Sequence, residues 1–384
     1  MRELFLFPEV QSYNNFDEFA QAYQLCETDL IVTNEGIAYG FLKKIPKEVN
    51  VLYCEKYGKG EPTDEMFDTI QADVLKKPFN RVIAIGGGSC MDIAKMLCVA
   101  DGRPIQEIFE ADPESLTHNK TLVVIPTTCG TGSEVTVTAV FGRKAEGTKM
   151  GITNYAFHTD YAVLIPSLLE SLPASVFANS SIDALIHAIE SYLNAAQATN
   201  GSQMFAERAI TMILPVYRKL RRKGMGARQK YIHTMQLAAL YAGVSIANAL
   251  PSASHAMGYP FAEKFRRPHG ESCYIFLDAT LKKYMKDVQS GNVSEERRHT
   301  WKELIAIIER GLGYMDLKDS EVLEELDELL SSVTPRKKLR EYGATMEDCE
   351  EFGKICYEQQ QRLLKCTFSP FSKKELIETY KAVW

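Results

Sequence analysis

The amino-acid sequence predicts an α/β domain over residues 1–172 followed by an all-α domain over residues 173–384. Three observations support this fold class. In the first half, short β-rich runs alternate with helical patterns, which is typical of a largely parallel sheet covered by helices. From Pro173 onward, the segments are long, amphipathic and poor in alternating β-branched residues, as expected for packed helices. The 384 residues of the chain are enough for two such domains.

The individual elements follow from hydrophobic periodicity and from capping residues. Helically spaced apolar residues begin after Thr63 and after Ser89, and both hydroxyls are predicted to cap those helices. The predicted strands are 29–33, 49–53, 81–85, 121–125 and 161–165. The predicted helices are 64–75, 91–99, 181–193, 204–220, 228–249 and 304–312.

The composition excludes several classes of function. A formal net charge of -6 and a pI near 5.8 leave no basic surplus to neutralise phosphates, so no nucleic-acid partner is expected. Neither a signal sequence nor an apolar run of about 18 residues is found, so no membrane association is expected. Nine irregularly spaced cysteines without a C-x-x-C pair predict reduced thiols and a cytoplasmic location.

Two glycine-containing loops are predicted to bind an anion at the ends of strands. The turn Gly86-Gly87-Gly88-Ser89 follows a strand and opens a helix, which places backbone N–H groups where they can cradle a phosphate. The loop PTTCGTGS at 126–133 also follows an apolar strand and adds hydroxyl groups to two glycines. Because ligands collect at the carboxyl ends of parallel strands, the two loops together favour nucleotide binding over simple turns and helix caps.

Four residues are candidate metal ligands: Asp183, His187, His255 and His269. The first two are four apart in a helical segment, so their side chains share one face. In one continuous helix the last two would be about 21 Å apart, so joint ligation requires a bend, for which Pro260 and Pro268 offer places. One carboxylate and three imidazoles suit Fe²⁺ or Zn²⁺. The remaining histidines are interpreted as surface or packing residues: His118, His158, His233 and His299.

Four sequence motifs carry a family resemblance. They are GGGSCMDIAK at 86–95, PTTCGTGSEVT at 126–136, SSIDALIHAIESY at 180–192 and SHAMGYPFAEKFRRPHG at 254–270. Together they resemble the iron-containing, group III alcohol dehydrogenase family. The resemblance implies a dehydroquinate synthase-like architecture, with an N-terminal dinucleotide-binding domain and a helical domain that holds a divalent ion. It also implies NAD and Fe²⁺ as cofactors, with Zn²⁺ as the alternative ion, a small-molecule substrate and a homodimer.

The resemblance also assigns roles to individual residues. The family's metal ligands fall on the four candidates above, and His255 is included among the catalytic residues. The coenzyme contacts fall on Asn34, Gly87, Gly88, Ser89, Asp92, Thr127, Thr128, Thr131 and Lys149. Tyr259 stands where related enzymes have a histidine near the metal. It is either a proton relay or a packed phenol, and a phenol with a pKa near 10 is a poor base. A substrate carboxylate would find cations in Lys264, Arg266 and Arg267, for which a solvated surface is the alternative interpretation.

Within the family, the chain resembles the 4-hydroxybutyrate dehydrogenase branch through TNE near residue 33, EKYGKGEPTDEM at 55–66 and Tyr259. That branch interconverts 4-hydroxybutyrate and succinic semialdehyde with NAD(H). Asn34 replaces an aspartate that in many members would repel the 2′-phosphate of NADP, and Glu61 replaces a frequent asparagine. The alternatives are a dehydrogenase for butanol, a propanediol or lactaldehyde, a lyase of the dehydroquinate-synthase type, and a non-catalytic nucleotide-binding protein.

Overall fold

The computed structural model describes residues 3–58, 60–144 and 148–384. These residues form two units. One is Leu6–Leu172, and the other is Pro173–Trp384 together with residues 3–5. The first unit is built on a parallel sheet covered by helices, and the second is built from helices, so the predicted fold class is confirmed.

The strands of the α/β unit form one parallel sheet and one hairpin. They are β1 (Glu9–Ser12), β2 (Asp29–Thr33), β3 (Asn50–Tyr53), β4 (Arg81–Gly86), β5 (Thr121–Pro126), β6 (Thr138–Arg143), β7 (Thr148–Thr153) and β8 (Tyr161–Leu164). The parallel sheet has the order β1-β8-β5-β4-β2-β3, and β6 pairs antiparallel with β7. The sequence predicts the strands of the sheet except β1, and it misses the hairpin. The sequence of β1 is largely polar, and β6 and β7 each carry an internal glycine, which weakens a strand pattern.

Helices cover both faces of the parallel sheet. They are α1 (Phe16–Tyr23), α2 (Glu35–Ala38), α3 (Asp64–Val74), α4 (Gly88–Ala100) and α5 (Ile105–Glu110). Side chains of β2 alternate between two hydrophobic cores, with Leu30 and Val32 in one and Ile31 in the other. Thr63 caps α3 as predicted. The prediction that Ser89 caps α4 is wrong, because this helix begins at Gly88 and Gly87, two residues before Ser89, occupies the N-cap.

The strand order reverses between β2 and β4. From β2 the chain continues to the edge strand β3, whereas from β4 it continues to β5 on the other side. In parallel α/β sheets, ligands bind at such a switch point, outside the carboxyl ends of the strands. Asn34 follows β2 and Gly87 follows β4, so two of the predicted coenzyme residues lie at this point.

A buried lysine fixes the loop at 126–133, which we call the threonine loop, to α4. The Nζ atom of Lys95 donates to the hydroxyls of Ser133 at 2.8 Å and Thr136 at 3.0 Å, and to the Thr138 carbonyl at 2.9 Å. These three acceptors offset the cost of burying a charged side chain. Burial lowers the pKa of Lys95 to about 8, although the nearby charge of Asp92 opposes this shift. The loop after β5 is therefore held against the helix that starts at the glycine turn.

The second unit consists of helices joined by short connections. They are α6 (Ala174–Tyr192), α7 (Asn200–Lys223), α8 (Ile232–Asn248), α9 (Ala253–Phe265), α10 (His269–Gln289), α11 (Glu295–Leu312), α12 (Asp319–Val333), α13 (Met346–Gln359), α14 (Gln361–Leu364) and α15 (Lys373–Ala382). The predicted helices at 181–193, 204–220, 228–249 and 304–312 correspond to α6, α7, α8 and α11, of which α6, α7 and α11 start earlier than predicted.

The bend required between His255 and His269 is present. Arg266 adopts a φ of 49°, which ends α9, and Pro268 is the N-cap of α10. The expectation that Pro260 could supply the bend is wrong, because Pro260 lies inside α9. The helix continues through Pro260 because its neighbours Met257 and Phe261 are fully buried, and this packing offsets the lost backbone hydrogen bond.

Within the described residues, no single helix is long and apolar enough to cross a membrane. Two consecutive helical segments reach that length and composition only in combination, namely Met225–Asn248 and Ala253–Phe265. The chain bends by 102° between them. No disulfide joins the nine cysteines, all of which lie among the described residues.

Candidate metal centre and coenzyme-binding loops

The helical unit brings the four candidate ligands together in a group that we call the Asp183 cluster (Asp183, His187, His255 and His269). One ligand atom from each residue lies within 4.8 Å of the others. The Oδ1 atom of Asp183 is 3.9 Å from the Nε2 atom of His187, and 3.7 Å from the Nε2 atoms of both His255 and His269. Four side chains from α6, α9 and α10 therefore surround one point.

These distances fit a cation better than they fit hydrogen bonds. A separation of 3.7 Å is too long for an N–H···O hydrogen bond. Ligands placed tetrahedrally at 2.0–2.2 Å from one Zn²⁺ or Fe²⁺ ion are about 3.4 Å apart, which is close to the spacing in the cluster. Among the described residues, Asp183 Oδ1 and His255 Nε2 have no hydrogen-bond partner, although both are buried. Because an unpaired buried polar atom is costly, the donor set fits a divalent cation.

A carboxylate that the sequence analysis missed holds His255 in place. The Oε2 atom of Glu190 accepts a hydrogen bond from Nδ1 of His255 at 2.7 Å, which turns Nε2 toward Asp183. Glu190 also accepts from the backbone N–H groups of Ser252 at 2.8 Å and Ser254 at 2.6 Å, at the start of α9. Histidines that bind metals usually donate their second ring nitrogen to such a partner. The signal was in the sequence, because Glu190 is three residues after His187 on the same face of α6.

Glycine at two positions lets α10 approach its neighbours. A Cβ atom on Gly270 would lie 2.1 Å from the Asn179 carbonyl oxygen and 2.9 Å from Cβ of Asp183. A Cβ atom on Gly258 would lie 3.2 Å from the backbone nitrogen of Cys273. The absence of these atoms allows the start of α10 to pack against α6 and α9. His269, the first residue of α10, is thereby brought to Asp183.

Asp183 and His187 have the protonation states that a metal site needs, whereas the pKa values of His255 and His269 are raised. Burial lowers the pKa of His187 to about 4, although Asp183 opposes this shift. Burial raises the pKa of Asp183, but the charges of the surrounding histidines lower it more and keep the carboxylate ionised. For His269, burial lowers the pKa, but Cys273 and Asp183 raise it to about 9. A proton on His269 would therefore compete with a cation for the same nitrogen.

Two further side chains border the cluster. The thiol of Cys273 lies 4.0 Å from Nε2 of His269. The ring of Tyr259 lies 5.7 Å from the ring of His269 between centroids. Burial raises the pKa of the Tyr259 hydroxyl, whereas the charges of His255 and Arg362 lower it, and the net shift is upward. The raised pKa favours the protonated phenol, which can donate a hydrogen bond.

In the α/β unit, the two predicted coenzyme loops pack against each other. A Cβ atom on Gly87 would lie 3.4 Å from Cγ2 of Thr128, and one on Gly88 would lie 3.0 Å from Cγ2 of Thr131. The backbone N–H of Thr127 donates to the Gly86 carbonyl at 3.0 Å. The Oγ1 atom of Thr127 is buried and has no hydrogen-bond partner among the described residues. Its hydroxyl is therefore available to a ligand.

Three other predicted coenzyme residues are engaged by neighbours in the same unit. Asp92 accepts from the Ser133 hydroxyl at 2.9 Å and from the Val140 backbone N–H at 3.1 Å, so one of its oxygens anchors the threonine loop and the other anchors β6. Lys149 forms an ion pair with Glu61 at 2.5 Å. The Oδ1 atom of Asn34 accepts from the thiol of Cys90 at 3.0 Å. Ser89 lies in the first turn of α4. Coenzyme contacts of these four residues stay predictions: Asn34, Ser89, Asp92 and Lys149.

The cations predicted to bind a substrate carboxylate are already paired within the helical unit. Lys264 pairs with Asp348, and Arg266 pairs with Glu263 at 3.0 Å. Arg267 pairs with Glu271 at 2.9 Å and lies over the ring of Tyr342. This arrangement gives no support to a carboxylate clamp made by these three residues.

The Glu190→Gln variant tests the role of this carboxylate. Glutamine can still accept a hydrogen bond, but it lacks the charge that makes the His255 imidazole a stronger ligand. We expect the affinity for Zn²⁺, measured by competition with a chromogenic chelator, to fall about tenfold or more. The Glu347→Gln variant, which changes an exposed glutamate of α13, should keep the wild-type affinity. Equal affinities in the two variants would show that Glu190 does not support the cluster.

The chain is similar to known proteins over its full length. Two family models match it: iron-containing alcohol dehydrogenase over residues 7–166, and the C-terminal model of the Fe-containing alcohol dehydrogenase family over residues 177–384. The 4-hydroxybutyrate dehydrogenase of Clostridium kluyveri is 37% identical over 384 residues, which is 100% of both chains. Long-chain-alcohol dehydrogenase 1 of Geobacillus thermodenitrificans is 32% identical over 340 residues, which is 84% of this chain and 80% of that protein.

Solved structures share the fold. The iron-containing alcohol dehydrogenase from Thermococcus thioreducens matches with a TM-score of 0.82 and 23% identity, covering 99% of each chain. A 1,3-propanediol oxidoreductase matches with a TM-score of 0.84 and 21% identity, covering 100% of each chain. The family models and the full-length relative identify an alcohol dehydrogenase enzyme. The chain belongs to the iron-containing alcohol dehydrogenase family.

Proposed function

We propose that this enzyme interconverts 4-hydroxybutyrate and succinic semialdehyde by hydride transfer with NAD(H), using Fe²⁺ bound by the Asp183 cluster. The observation that carries the proposal is the buried cluster itself, in a chain 37% identical over its full length to a 4-hydroxybutyrate dehydrogenase. Zn²⁺ is the alternative ion, because it accepts the same ligands. A homodimer and a cytoplasmic location stay predictions.

The chemistry divides between a bound cation and the side chains of the chain. A divalent cation at the Asp183 cluster would supply Lewis-acid polarisation of the substrate oxygen. Tyr259, held protonated by burial, offers a hydrogen bond beside His269. The glycine turn offers backbone N–H groups at the start of α4 to a pyrophosphate, and the Thr127 hydroxyl offers a further contact.

Charges near Asn34 support NAD rather than NADP. Asn34 itself carries no charge, but the carboxylate of Glu55 lies close by. Its two oxygens accept from the backbone N–H of Glu35 at 3.2 and 3.3 Å. Glu35 directly follows Asn34, so two carboxylates flank this residue at the switch point of the sheet. Their negative charge would oppose a 2′-phosphate at this position.

The choice of aldehyde tests the proposed substrate. After reconstitution with Fe²⁺, we expect NADH consumption with succinic semialdehyde to show a kcat/KM at least about tenfold higher than with butanal. Butanal has the same number of carbon atoms but lacks the carboxylate, and charge-assisted hydrogen bonds to a carboxylate supply the difference. The loss of NADH absorbance measures both rates. Equal values would contradict 4-hydroxybutyrate chemistry, and no net loss of NADH with any aldehyde would favour a lyase.

Arg362 is the cation that we expect to recognise the substrate carboxylate. Burial raises the pKa of Tyr259, and the charges of His255 and Arg362 oppose this shift, which supports a cation near a residue that borders the cluster. The Arg362→Met variant should raise the KM for succinic semialdehyde about tenfold or more and leave the KM for butanal unchanged. Arg266→Met, which removes an exposed cation paired with Glu263, is the matched control. An unchanged KM for succinic semialdehyde in Arg362→Met would exclude this role.

A further inference from the structure

A second group of metal-binding side chains lies in the α/β unit, at the opposite edge of the sheet from the glycine turn. His118 precedes β5, and His158 and Asp160 directly precede β8, so all three lie at the amino ends of neighbouring parallel strands. One ligand atom from each lies within 4.8 Å of the others. The side chains are mostly buried, with 14% of His118, 21% of His158 and 30% of Asp160 exposed. We call this group the Asp160 cluster.

Backbone carbonyls define the tautomer of both imidazoles. The Nδ1 atom of His118 is 2.9 Å from the Ala156 carbonyl oxygen, and the Nδ1 atom of His158 is 2.9 Å from the Tyr155 carbonyl oxygen. Because a carbonyl oxygen can only accept, each Nδ1 carries a hydrogen and donates it. In a neutral imidazole the Nε2 atom then presents a lone pair.

Both lone pairs point at the same carboxylate. The Nε2 atom of His118 is 3.1 Å from Oδ2 of Asp160, and the Nε2 atom of His158 is 3.5 Å from Oδ1. An ionised carboxylate is also an acceptor, so these contacts are repulsive unless positive charge lies between the atoms. Two protonated imidazoles would supply that charge, but their rings lie close together, with centroids 3.9 Å apart and planes tilted by 31°. Two adjacent cations in a mostly buried place are unfavourable.

A single divalent cation satisfies all three side chains. Two imidazole nitrogens and a carboxylate oxygen are a donor set that Zn²⁺ takes, with the remaining position left to water. The Nδ1–H···O=C bonds of both histidines are the supporting contacts that metal-binding histidines usually make. Asp160 is also fixed by the sheet, because its Oδ2 atom accepts from the Leu122 backbone N–H at 2.7 Å. We propose that His118, His158 and Asp160 form a second site for a divalent transition-metal cation of the Zn²⁺ class, separate from the Asp183 cluster.

The site would join the connections before β5 and β8. Because the site lies at the amino ends of the strands and the glycine turn lies at their carboxyl ends, we assign it a structural role rather than a part in the hydride-transfer chemistry. The interpretation of these two histidines from the sequence, as surface or packing residues, would then be incomplete.

Counting bound metal tests this proposal. The full chain, freed of metal with a chelator, is titrated with Zn²⁺ at pH 7.5, and bound ion is measured by equilibrium dialysis with elemental analysis. Wild-type protein should bind two equivalents per chain. His158→Gln and His118→Gln should each bind one equivalent and keep the dehydrogenase activity, because neither residue touches the Asp183 cluster. His233→Gln, which changes an exposed histidine of α8, should still bind two.

Three results would overturn the proposal. The first is binding of only one equivalent of Zn²⁺ per chain by the wild-type protein. The second is binding of two equivalents of Zn²⁺ per chain by either variant, provided that the variant folds. If neither variant folds, wild-type crystals soaked in Zn²⁺ replace them, and the expected result is an anomalous-scattering peak beside the Nε2 atoms of His118 and His158. The third is the absence of this peak.

Discussion

The geometry of the Asp183 cluster depends on the hydrogen bond between Glu190 and His255. Glu190 stands on α6, on the same face as Asp183 and His187, and its carboxylate accepts both the imidazole N–H of His255 and the backbone N–H groups that begin α9. One buried charge therefore determines where α9 starts and which nitrogen of His255 faces Asp183. The charge of Glu190 is tolerated because both carboxylate oxygens accept hydrogen bonds. In contrast, Asp183 Oδ1 and His255 Nε2 have no hydrogen-bond partner within the described part of the chain. The difference between these neighbouring groups marks the place for a cation.

Close packing of helices completes the arrangement. His269 reaches Asp183 because Gly270 removes the Cβ atom that would collide with the Asn179 carbonyl. The bend at Arg266 and Pro268 turns α10 back along α9, so residues 14 positions apart in the sequence meet at one point. In the α/β unit, the same principle applies to Gly87 and Gly88, whose missing side chains leave room for the threonines of the neighbouring loop. In both regions, glycine thus lets neighbouring elements approach closely.

The sequence predicted those features that depend on local periodicity. Asp183 and His187 were recognisable as a helical pair, and the spacing of His255 and His269 required a bend. The position of the bend was less certain, because a proline can be accommodated within a packed helix, as Pro260 is. Glu190 shares the helical face of His187, but its partners are more than sixty residues away, and only tertiary structure pairs them. The ion pair of Lys149 with Glu61 also joins residues that are far apart in the sequence. It gives a physical role to Glu61, whose effect the sequence alone could not explain.

The pairing of charged side chains was the least predictable feature. Lys264, Arg266 and Arg267 are adjacent to the metal ligands in sequence, but each is paired with a carboxylate of the same unit. The charge of Arg362, nearly a hundred residues further along the chain, joins that of His255 in opposing the rise that burial causes in the pKa of Tyr259. The sequence places charges along the chain, whereas the pairing of those charges follows from packing.

X-ray absorption spectroscopy of the bound ion tests the central claim most directly. The His158→Gln variant, loaded with one equivalent of Fe²⁺ per chain, limits the measurement to the Asp183 cluster. The account predicts three imidazole nitrogens and at least one carboxylate oxygen at about 2.0–2.2 Å from the metal. Fewer than three imidazoles in the metal's coordination sphere would contradict it.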